Sequence, residues 1–394
     1  MNKEIVFLIK VMHGGGAERV VSILSHAAAE KGNDVSLILT HQSKADAVLR
    51  DIDSRINIIS LPDETKREKS SYVSAKVLML FARIVGKLRF KEKSSVLKYY
   101  SRNYESVTWL KKYFKKHKNS SAVAFLYDSI FLTLLAKNKS NRVIISERSD
   151  PAQSSGSKTV KAFIKKEFCK ADGIVFQTPD VQKWYENNYN VKGTIIFNPI
   201  KPDLPEPYTG TRKKHIVNFC RISKEKNLIL LINAFAEFHK EFPDFHLDIF
   251  GGCVNEGISE YLESVKKCIK DNNCENSIHI YPARSDIHDY IKDYTMFVSS
   301  SDYEGMSNSM LEAMAMGLPC VCTDCPAGGA RAVIKDGENG LLSPLGDAHA
   351  LCEAMKKVAK NLDLANRLSQ NSVKIRKDQS AKKITEEWME LING

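Results

Sequence analysis

Short apolar segments alternate with amphipathic helical segments along most of this chain, and this alternation restricts it to a layered α/β fold. The first apolar segment, 4–9, is followed by a glycine turn, a helical pattern over 17–31 and a second apolar segment over 34–40. A strand, helix, strand order with buried-type strands is typical of a doubly wound parallel sheet. Further strands of the same kind are predicted over 122–127, 142–146, 173–177 and 194–197.

A proline-rich stretch interrupts the alternation near the middle of the chain. Four of the twelve prolines lie between Asn198 and Gly210, and clustered prolines stiffen and expose the backbone of a linker. A chain of 394 residues fits two domains. We therefore predict two Rossmann-like domains, 1–200 and 201–375. The last segment, 376–394, is predicted to contain a helix that either closes its own domain or crosses back to the first.

The second domain is predicted to repeat the alternation that the first domain shows. The apolar pattern predicts strands over 215–220, 246–250, 277–281, 296–299 and 319–323, and helices over 228–242, 258–272 and 309–316.

Positive charge is concentrated in one insertion of the first domain. The chain carries a net charge of +11, which favours an anionic partner such as a nucleotide, a nucleic acid or an acidic lipid. Segment 66–118 has sixteen Lys or Arg residues against three acidic ones, a net charge of +13, so the whole surplus lies here. Large apolar residues recur among these bases at helical spacing: Val77, Leu80, Phe81, Ile84, Val85 and Leu88.

Two structures fit this basic segment. A helix lying at an anionic membrane surface has this composition, and a helix packed on the first domain has it too. The aromatic residues among the lysines also fit nucleic-acid binding, but no RNA- or DNA-binding signature accompanies them. We expect contact with an anionic membrane surface and no nucleic-acid partner.

Cysteine use and hydropathy indicate the compartment. Nine cysteines without framework spacing predict reduced thiols rather than a disulfide scaffold. The apolar runs at 5–9 and 77–82 fall short of the roughly 20 residues that a spanning helix needs, and the first is too short for a secretion signal. We expect a cytoplasmic protein, peripheral to the inner face of the membrane.

The densest group of polar, chemistry-bearing residues lies within 299–323. A predicted strand ends in serines, the following loop carries Glu304, and a helix that begins near 307–309 carries Glu312 near its first turn. Ser307, Asn308 and free N–H groups at a helix start can hold an anionic or hydroxyl-rich ligand, while the carboxylates accept hydrogen bonds from sugar hydroxyls. The spacing alone also fits a capped surface helix with two unrelated glutamates.

Two cations follow the first predicted strand of the second domain. Arg221 offers a planar fork and Lys226 a mobile point charge, so the two can neutralise one diphosphate where charge develops on a leaving group. In the first domain, Gly15 and Gly16 allow backbone amides to approach the same kind of anion. Taken singly, these patterns also fit a solvated basic loop and a tight turn.

In their order along the chain, these segments resemble glycosyltransferase family four, retaining enzymes of the GT-B fold. The resemblance is dense in the second half, and the region 60–120 does not share it. The segments that carry it are Gly15 to Val20, Asn198-Pro199, Arg221 to Asn227, Phe250 to Gly252, the Glu304 to Glu312 spacing, Ala315 to Pro319, Gly328-Gly329 and Asp336 to Leu342.

The resemblance implies a GT-B arrangement in which two Rossmann-like domains face each other across a cleft. It also implies roles for single residues. Arg221 and Lys226 would neutralise the leaving diphosphate, Glu304 would contact hydroxyls of the donor sugar, and Glu312 would contact the ribose of the nucleotide. The expected catalytic residues are therefore Arg221, Lys226 and Glu304, and the expected donor-binding residues are Gly15, Gly16, Ser307, Asn308 and Glu312.

The resemblance further implies how the acceptor reacts. In retaining enzymes of this class the departing phosphate helps to take the acceptor proton, so positioning and electrostatics supply most of the rate. Segment 145–151 resembles a Ser-Glu-Arg-x-Asp-Pro stretch of polysaccharide-building members, which makes Glu147 and Arg148 candidates for the sugar or acceptor site; a salt-bridged loop fits equally. Cys220, where a glycine is common, and Met306 are departures that bear on sugar specificity.

Two other patterns resemble metal sites. Cys320, Cys322 and Cys325 lie close together, but zinc needs a fourth ligand and usually a second spaced pair. The Asp-Ile-Asp sequence at 51–53 matches the Asp-x-Asp of metal-dependent sugar transferases of another fold, yet it precedes a predicted strand and fits a surface turn. We expect neither a metal nor another cofactor.

The expected function is transfer of a hexose or N-acetylhexosamine from a nucleotide sugar, with UDP as the expected nucleotide, to a saccharide acceptor. The basic insertion favours an acceptor held on a polyprenyl diphosphate during bacterial-type surface glycan assembly. Two alternatives remain: a nucleotide-sugar epimerase of related fold and a basic nucleic-acid-binding protein. A nicotinamide dehydrogenase is disfavoured, since no Gly-x-Gly-x-x-Gly follows the first strand.

Overall fold

The computed structural model describes residues 4–13, 15–44, 52–65, 69–88, 90–252 and 256–394. The chain divides into two compact units. The first comprises residues 1–199 and 382–394, and the second comprises residues 200–381. The division therefore falls between Pro199 and Ile200, at the start of the stretch in which the prolines are concentrated.

Seven parallel strands form the sheet of the first unit, in the order β3-β2-β1-β4-β5-β6-β7. The strands are β1 (Glu4–Ile9), β2 (Asp34–Leu39), β3 (Asn57–Ser60), β4 (Ser121–Phe125), β5 (Arg142–Ser146), β6 (Gly173–Phe176) and β7 (Thr194–Ile195). The interior strand β1 is fully buried from Ile5 to Ile9, as expected for a parallel sheet with helices on both faces.

Ten helices belong to the part of the first unit that the structure describes. They are α1 (Gly16–Glu30), α2 (Leu61–Glu64), α3 (Lys69–Lys87), α4 (Lys91–Arg102), α5 (Tyr104–Lys116), α6 (Leu126–Ala136), α7 (Pro151–Ser154), α8 (Lys158–Lys166) and α9 (Pro179–Tyr189), followed at the end of the chain by the helix over Ala381–Asn393.

The second unit has the same architecture with six parallel strands, in the order β10-β9-β8-β11-β12-β13. The strands are β8 (Lys213–Phe219), β9 (His246–Phe250), β10 (Ile278–Tyr281), β11 (Tyr294–Ser299), β12 (Cys320–Thr323) and β13 (Leu341–Ser343). The helices are α10 (Leu228–His239), α11 (Glu256–Asp271), α12 (Ile287–Ile291), α13 (Asn308–Ala315), α14 (Ala348–Lys360), α15 (Leu362–Ser372) and α16 (Ile375–Asp378).

The C-terminal helix, α17 (Ala381–Asn393), packs on the core of the first unit. Its apolar stripe joins that core, and the fully buried Trp388 lies against Phe125 with ring centroids 5.5 Å apart. The end of the helix is held by polar contacts as well: Ser121 Oγ donates to the carbonyl of Ile392 at 3.0 Å. The chain therefore completes its first unit with its last helix, and residues 376–381 belong to the second unit.

The parallel α/β class is confirmed, and most differences concern the ends of elements. The strand predicted over 122–127 stops at Phe125, because Leu126 adopts φ 65° and begins α6. The strand predicted over 194–197 is only Thr194–Ile195, and the helix predicted over 228–242 ends at His239. Apolar residues continue past the end of each of these elements, so hydrophobic pattern alone places the ends wrongly.

The basic insertion forms a helical hairpin, α3 and α4, followed by α5. Ser94 Oγ donates to the carbonyl of Ala82 at 2.8 Å and Ser101 Oγ to that of Ala75 at 2.7 Å, which joins α3 to α4. The opposite side of α3 is solvent-exposed. We call its large apolar residues, each 48–63% exposed, the α3 stripe: Val73, Val77, Leu80, Ile84 and Leu88.

The α3 stripe does not pack on the described part of the first unit, whereas the opposite side of α3 packs on α4. Tyr72 and Phe81, which flank the stripe, are also more than half exposed. Within the described residues, no helix has the length and apolar character needed to cross a bilayer. The insertion thus presents an apolar face at the surface of a unit rather than a spanning segment.

The cysteines and the Asp-Ile-Asp sequence have ordinary structural surroundings. All eight cysteines within the described ranges are free thiols. Asp51 lies outside those ranges, and the carboxylate of Asp53 accepts hydrogen bonds from the guanidinium of Arg55 at 3.0 and 3.1 Å.

Candidate active site

Two loops meet at the carboxyl end of the second sheet, where the neighbouring strands β8 and β11 both end. A single helical turn, 224–226, follows β8, and loop 300–306 follows β11. Asn227 Nδ2 donates to Asp302 Oδ1 at 2.7 Å, and Ser300 Oγ donates to the carbonyl of Lys226 at 2.9 Å. The backbone N–H of Asp302 donates to the carbonyl of Glu225 at 2.9 Å. These bonds hold the two loops in one fixed arrangement.

This arrangement brings Lys226 and Glu304 together across 78 positions of sequence. The Lys226 ammonium and a Glu304 carboxylate oxygen form an ion pair, and both side chains are largely covered. Burial alone would lower the pKa of Lys226, but the negative charge of Glu304 and the nearby Cys220 outweigh it, so the pKa is raised. The lysine therefore stays charged in a half-covered pocket.

Arg221 extends from the same turn toward solvent. Its side chain is 64% exposed, and Nη2 lies 3.4 Å from Glu225 Oε1, a loose contact. The three predicted catalytic residues are thus found on two adjoining loops: Lys226 and Glu304 in contact, and Arg221 beside them as an accessible cation.

Two glycines allow the backbone to pass close to these loops. A Cβ at Gly251 would lie 2.3 Å from the carbonyl oxygen of Cys220, just before Arg221. A Cβ at Gly329 would lie 1.9 Å from the carbonyl oxygen of Gly305, just after Glu304. Real Cβ atoms do not make contacts this short, so only glycine fits at positions 251 and 329. The absence of a side chain at each position lets the backbone pass close to the site loops.

Helix α13 follows the Glu304 loop and starts as the sequence indicated. Ser307 is its N-cap and accepts a hydrogen bond from the N–H of Met310 at 3.4 Å, and Asn308 is the first helical residue. Glu312, expected near the first turn, lies in the second turn instead and is almost fully buried. Its Oε2 lies 2.8 Å from His288 Nε2.

His288 is the residue that sequence reasoning missed in this region. It belongs to the five-residue helix α12, is 7% exposed and is separated from Glu312 by 24 positions. A single histidine in an amphipathic segment carries no signal for such a pair. Only the packing of α12 beside α13 shows that the Glu312 carboxylate is oriented by an imidazole.

The three clustered cysteines support the same loops. Burial raises the pKa of the Cys320 and Cys322 thiols far above its ordinary value and that of Cys325 to about 11. Cys325 Sγ donates to the carbonyl of Ser301 at 2.9 Å, beside a 2.7 Å hydrogen bond from Thr323 Oγ1 to the same oxygen. Cys325 therefore packs against the loop that carries Glu304, while Cys320 and Cys322 are buried in β12.

In the first unit, the glycine turn after β1 is closed by Glu18. The carboxylate of Glu18 accepts hydrogen bonds from the backbone N–H groups of His13 and Gly15, both at 2.6 Å. Gly16 is the first residue of α1, while Gly14 lies outside the described residues. The Gly15 amide, predicted to approach a phosphate, thus donates within its own turn. No pattern in the sequence indicated this role of Glu18.

Glu147 and Arg148 lie at the carboxyl end of β5 and are buried, with 1% and 9% exposure. Ser149 donates to the Glu147 carboxylate from both its N–H and its hydroxyl, the latter at 2.6 Å. The Arg148 guanidinium donates to Ser146 Oγ at 3.1 Å and to the side-chain oxygen of Asn198, immediately before the unit boundary. Both residues are therefore engaged inside the first unit.

Burial raises the pKa of the Glu147 carboxyl to about 7, against the opposing hydrogen bonds from Ser149 and the charge of Arg148. A carboxyl whose folded-state pKa is raised stabilises the fold below its unfolded-state pKa and loses this contribution as pH rises through the folded value. We expect the unfolding free energy of the wild type to fall by roughly 2–3 kcal/mol between pH 5 and pH 8 because of this carboxyl. The Glu147→Gln variant should not show this decrease, because glutamine does not titrate. Urea denaturation across that range measures it.

The exposed Glu186, changed to Gln, is the control for Glu147, because its carboxylate is half exposed on the surface of the same unit. The assigned pKa would be contradicted if the unfolding free energies of the wild type and the Glu147→Gln variant changed in parallel between pH 5 and pH 8.

Comparison with known proteins identifies the second unit. Residues 204–375 match the family model described as glycosyl transferases group 1. An uncharacterised glycosyltransferase of Haemophilus influenzae is 23% identical over the whole length of both chains. The poly(glycerol-phosphate) alpha-glucosyltransferase of Bacillus subtilis is 26% identical over 226 residues, which cover 56% of this chain and 32% of that enzyme.

Solved structures show the fold of the whole chain. The crystal structure of Anabaena HepE in complex with UDP and glucose superposes with a TM-score of 0.78, covers all of both chains and is 15% identical. At this identity the likeness establishes fold alone, and it confirms the GT-B class. The fold of the chain is therefore GT-B, and the segment that matches the group 1 glycosyltransferases, residues 204–375, lies in the second unit.

Proposed function

We propose that this protein is a retaining glycosyltransferase that moves a hexose or N-acetylhexosamine from a UDP-sugar to a saccharide acceptor. The observation that carries the proposal is the Lys226–Glu304 pair, with the accessible Arg221 beside it. Two cations and one carboxylate on adjoining loops match what a sugar diphosphate offers, namely two phosphates and a set of hydroxyls. The UDP and glucose bound by HepE are in keeping with this choice of donor.

The proposed donor site assigns one task to each group. Arg221 and Lys226 hold the diphosphate and neutralise it as its bond to the sugar C1 breaks. Glu304 accepts hydrogen bonds from sugar hydroxyls and keeps Lys226 charged. Glu312, oriented by His288, accepts from the ribose hydroxyls. Ser307 and Asn308, at the start of α13, complete the set.

The acceptor reacts on the face of the sugar that the diphosphate leaves. The acceptor oxygen forms its bond to C1 while the C1–phosphate bond breaks, and an oxygen of the departing phosphate takes the hydroxyl proton. Two cations, the ion-paired Lys226 and the accessible Arg221, supply the charge compensation, so we propose no metal cofactor. Glu147 and Arg148 are buried residues of loop 145–151. Their side-chain hydrogen bonds fix the shape of this loop, and the loop positions the acceptor.

Isothermal calorimetry and a hydrolysis assay on the full chain test this function. We expect UDP to bind, and one UDP-sugar of a panel to release UDP slowly without an acceptor, whereas GDP and ADP do neither. Conversion of the sugar without loss of UDP, seen by NMR, would instead establish an epimerase. Failure of every UDP compound to bind would overturn the proposal.

We further propose that the acceptor is lipid-linked, as a polyprenyl diphosphate, and that the α3 stripe attaches the first unit to an anionic membrane surface. An exposed apolar stripe framed by Lys76, Arg83 and Lys87 is the composition of a helix lying in the headgroup plane. Each base near an anionic leaflet contributes about 1 kcal/mol. Attachment of this kind places the enzyme where a lipid-linked glycan is extended.

A further inference from the structure

A cavity lined by lysines lies in the first unit. Its volume is about 460 Å³. Five of its eight lining residues are lysines, and none is acidic: Lys111, Lys115, Lys118, Lys137 and Lys139, with Ala136, Asn138 and Ser140. The cavity lies between the end of α5, the end of α6 and the turns that precede β4 and β5, hence at the amino ends of the strands.

Most of this positive charge is uncompensated. Lys137 pairs with Asp172 at 2.7 Å, and Lys111 donates to the hydroxyl of Tyr100 at 2.8 Å. Within the described ranges, no ion pair or hydrogen bond engages the side chains of Lys115, Lys118 or Lys139. Bases in the last turn of a helix interact favourably with its dipole, which accounts for Lys115 on α5 but not for the loop residues Lys118 and Lys139.

A series of tyrosines leads from the cavity toward α3. Tyr100, which contacts Lys111, stacks on Tyr104 with ring centroids 5.8 Å apart. Tyr104 lines a groove together with Tyr72 and Lys76 of α3. Tyrosines between an apolar face and a basic one are typical of the level of lipid headgroups.

We propose that this cavity binds the phosphate headgroup of an anionic phospholipid when the α3 stripe lies on the membrane. The inference rests on the proposed membrane attachment and adds to it the class of lipid. Lysines, as mobile point charges, suit a phosphate that is presented by a fluid surface rather than in a rigid geometry. A cavity of this size accepts a phosphate with its glycerol or a second polar group.

Two charge-matched variants of the full chain test the proposal. The cavity variant replaces four lysines by glutamine: Lys111, Lys115, Lys118 and Lys139. The control variant replaces four exposed lysines of the second unit by glutamine: Lys240, Lys267, Lys270 and Lys377. Sedimentation with phosphatidylglycerol-containing vesicles and with pure phosphatidylcholine vesicles gives the affinities, and UDP binding is measured on each protein in parallel.

We expect the cavity variant to lose roughly 100-fold or more in affinity for phosphatidylglycerol vesicles, and the control variant to lose less than about threefold, because distant charges are screened. Equal losses in the two variants would overturn the headgroup site. A second result would also overturn it: the cavity variant loses calorimetric binding of glycerol phosphate but keeps its affinity for vesicles. That result would assign the cavity to a soluble anion. UDP binding, expected to be equal in all three proteins, reports separately on the proposed function.

Discussion

Lys226→Ala is expected to lower the rate of UDP release from the preferred UDP-sugar about 100- to 1,000-fold, the range found when a charge-stabilising group is removed from a developing anion. The reason is geometric, since Lys226 is the cation that the loop-to-loop hydrogen bonds hold against Glu304. Turnover assays at saturating donor, with calorimetric Kd values for UDP, measure the effect. The loss in kcat should exceed the loss in UDP affinity.

Lys224→Ala is the matched control for Lys226→Ala. Lys224 lies in the same helical turn, carries the same charge and is exposed to solvent. Its replacement should change turnover less than about threefold, because an exposed charge is screened by water and salt. Thermal unfolding of each variant shows whether the fold survives. Equal activity of a folded Lys226→Ala variant and the wild type would remove the Lys226–Glu304 pair from the mechanism.

A triple α3 variant, with Val77, Leu80 and Ile84 changed to serine, is expected to bind anionic vesicles about 100-fold more weakly than the wild type. The three side chains are 48–63% exposed, so they are free to enter the headgroup region. Each contributes about 1 kcal/mol if half of its transfer free energy is gained, and about 1.4 kcal/mol corresponds to a tenfold change in affinity. Vesicle sedimentation at fixed ionic strength measures the change.

The control for the α3 variant removes exposed apolar residues elsewhere. Leu345 and Leu362, 44% and 73% exposed in the second unit, are changed to serine together, and vesicle affinity should stay at the wild-type value. Since serine at exposed positions leaves the core intact, the α3 variant should keep its unfolding temperature within about 2 °C. Unchanged vesicle binding by a folded α3 variant would show that the stripe does not contact lipid.

Local pattern was a reliable guide to some parts of the molecule and a poor guide to others. The order of strands and helices, the start of a helix near 307–309 and a division near the prolines follow from apolar periodicity and proline content, both of which act within a few residues. The partner of Glu312 could not be predicted, because His288 lies on a separate short helix. The early turn at Leu126 has a similar cause, since a backbone of φ 65° at a leucine leaves no trace in the apolar pattern.

The basic insertion shows the same division most clearly. Its composition indicated an amphipathic helix, and α3 is one. Which side of that helix meets solvent was open, because an apolar stripe fits a protein core as well as a lipid surface. The small residues Ala75 and Ala82, with the serines of α4, form the packed side and leave the large residues outside.

By itself the amino-acid sequence determined the parallel α/β class, and it predicted the kind of reaction that its motifs resemble and the residues expected to perform it. Tertiary structure alone decided that Lys226 meets Glu304, that Glu18 closes the glycine turn and that five lysines share one cavity. The physical reason is the distance along the sequence over which each effect acts. Propensity, capping and periodicity act between near neighbours, whereas ion pairs and cavities arise where strands distant in sequence end side by side.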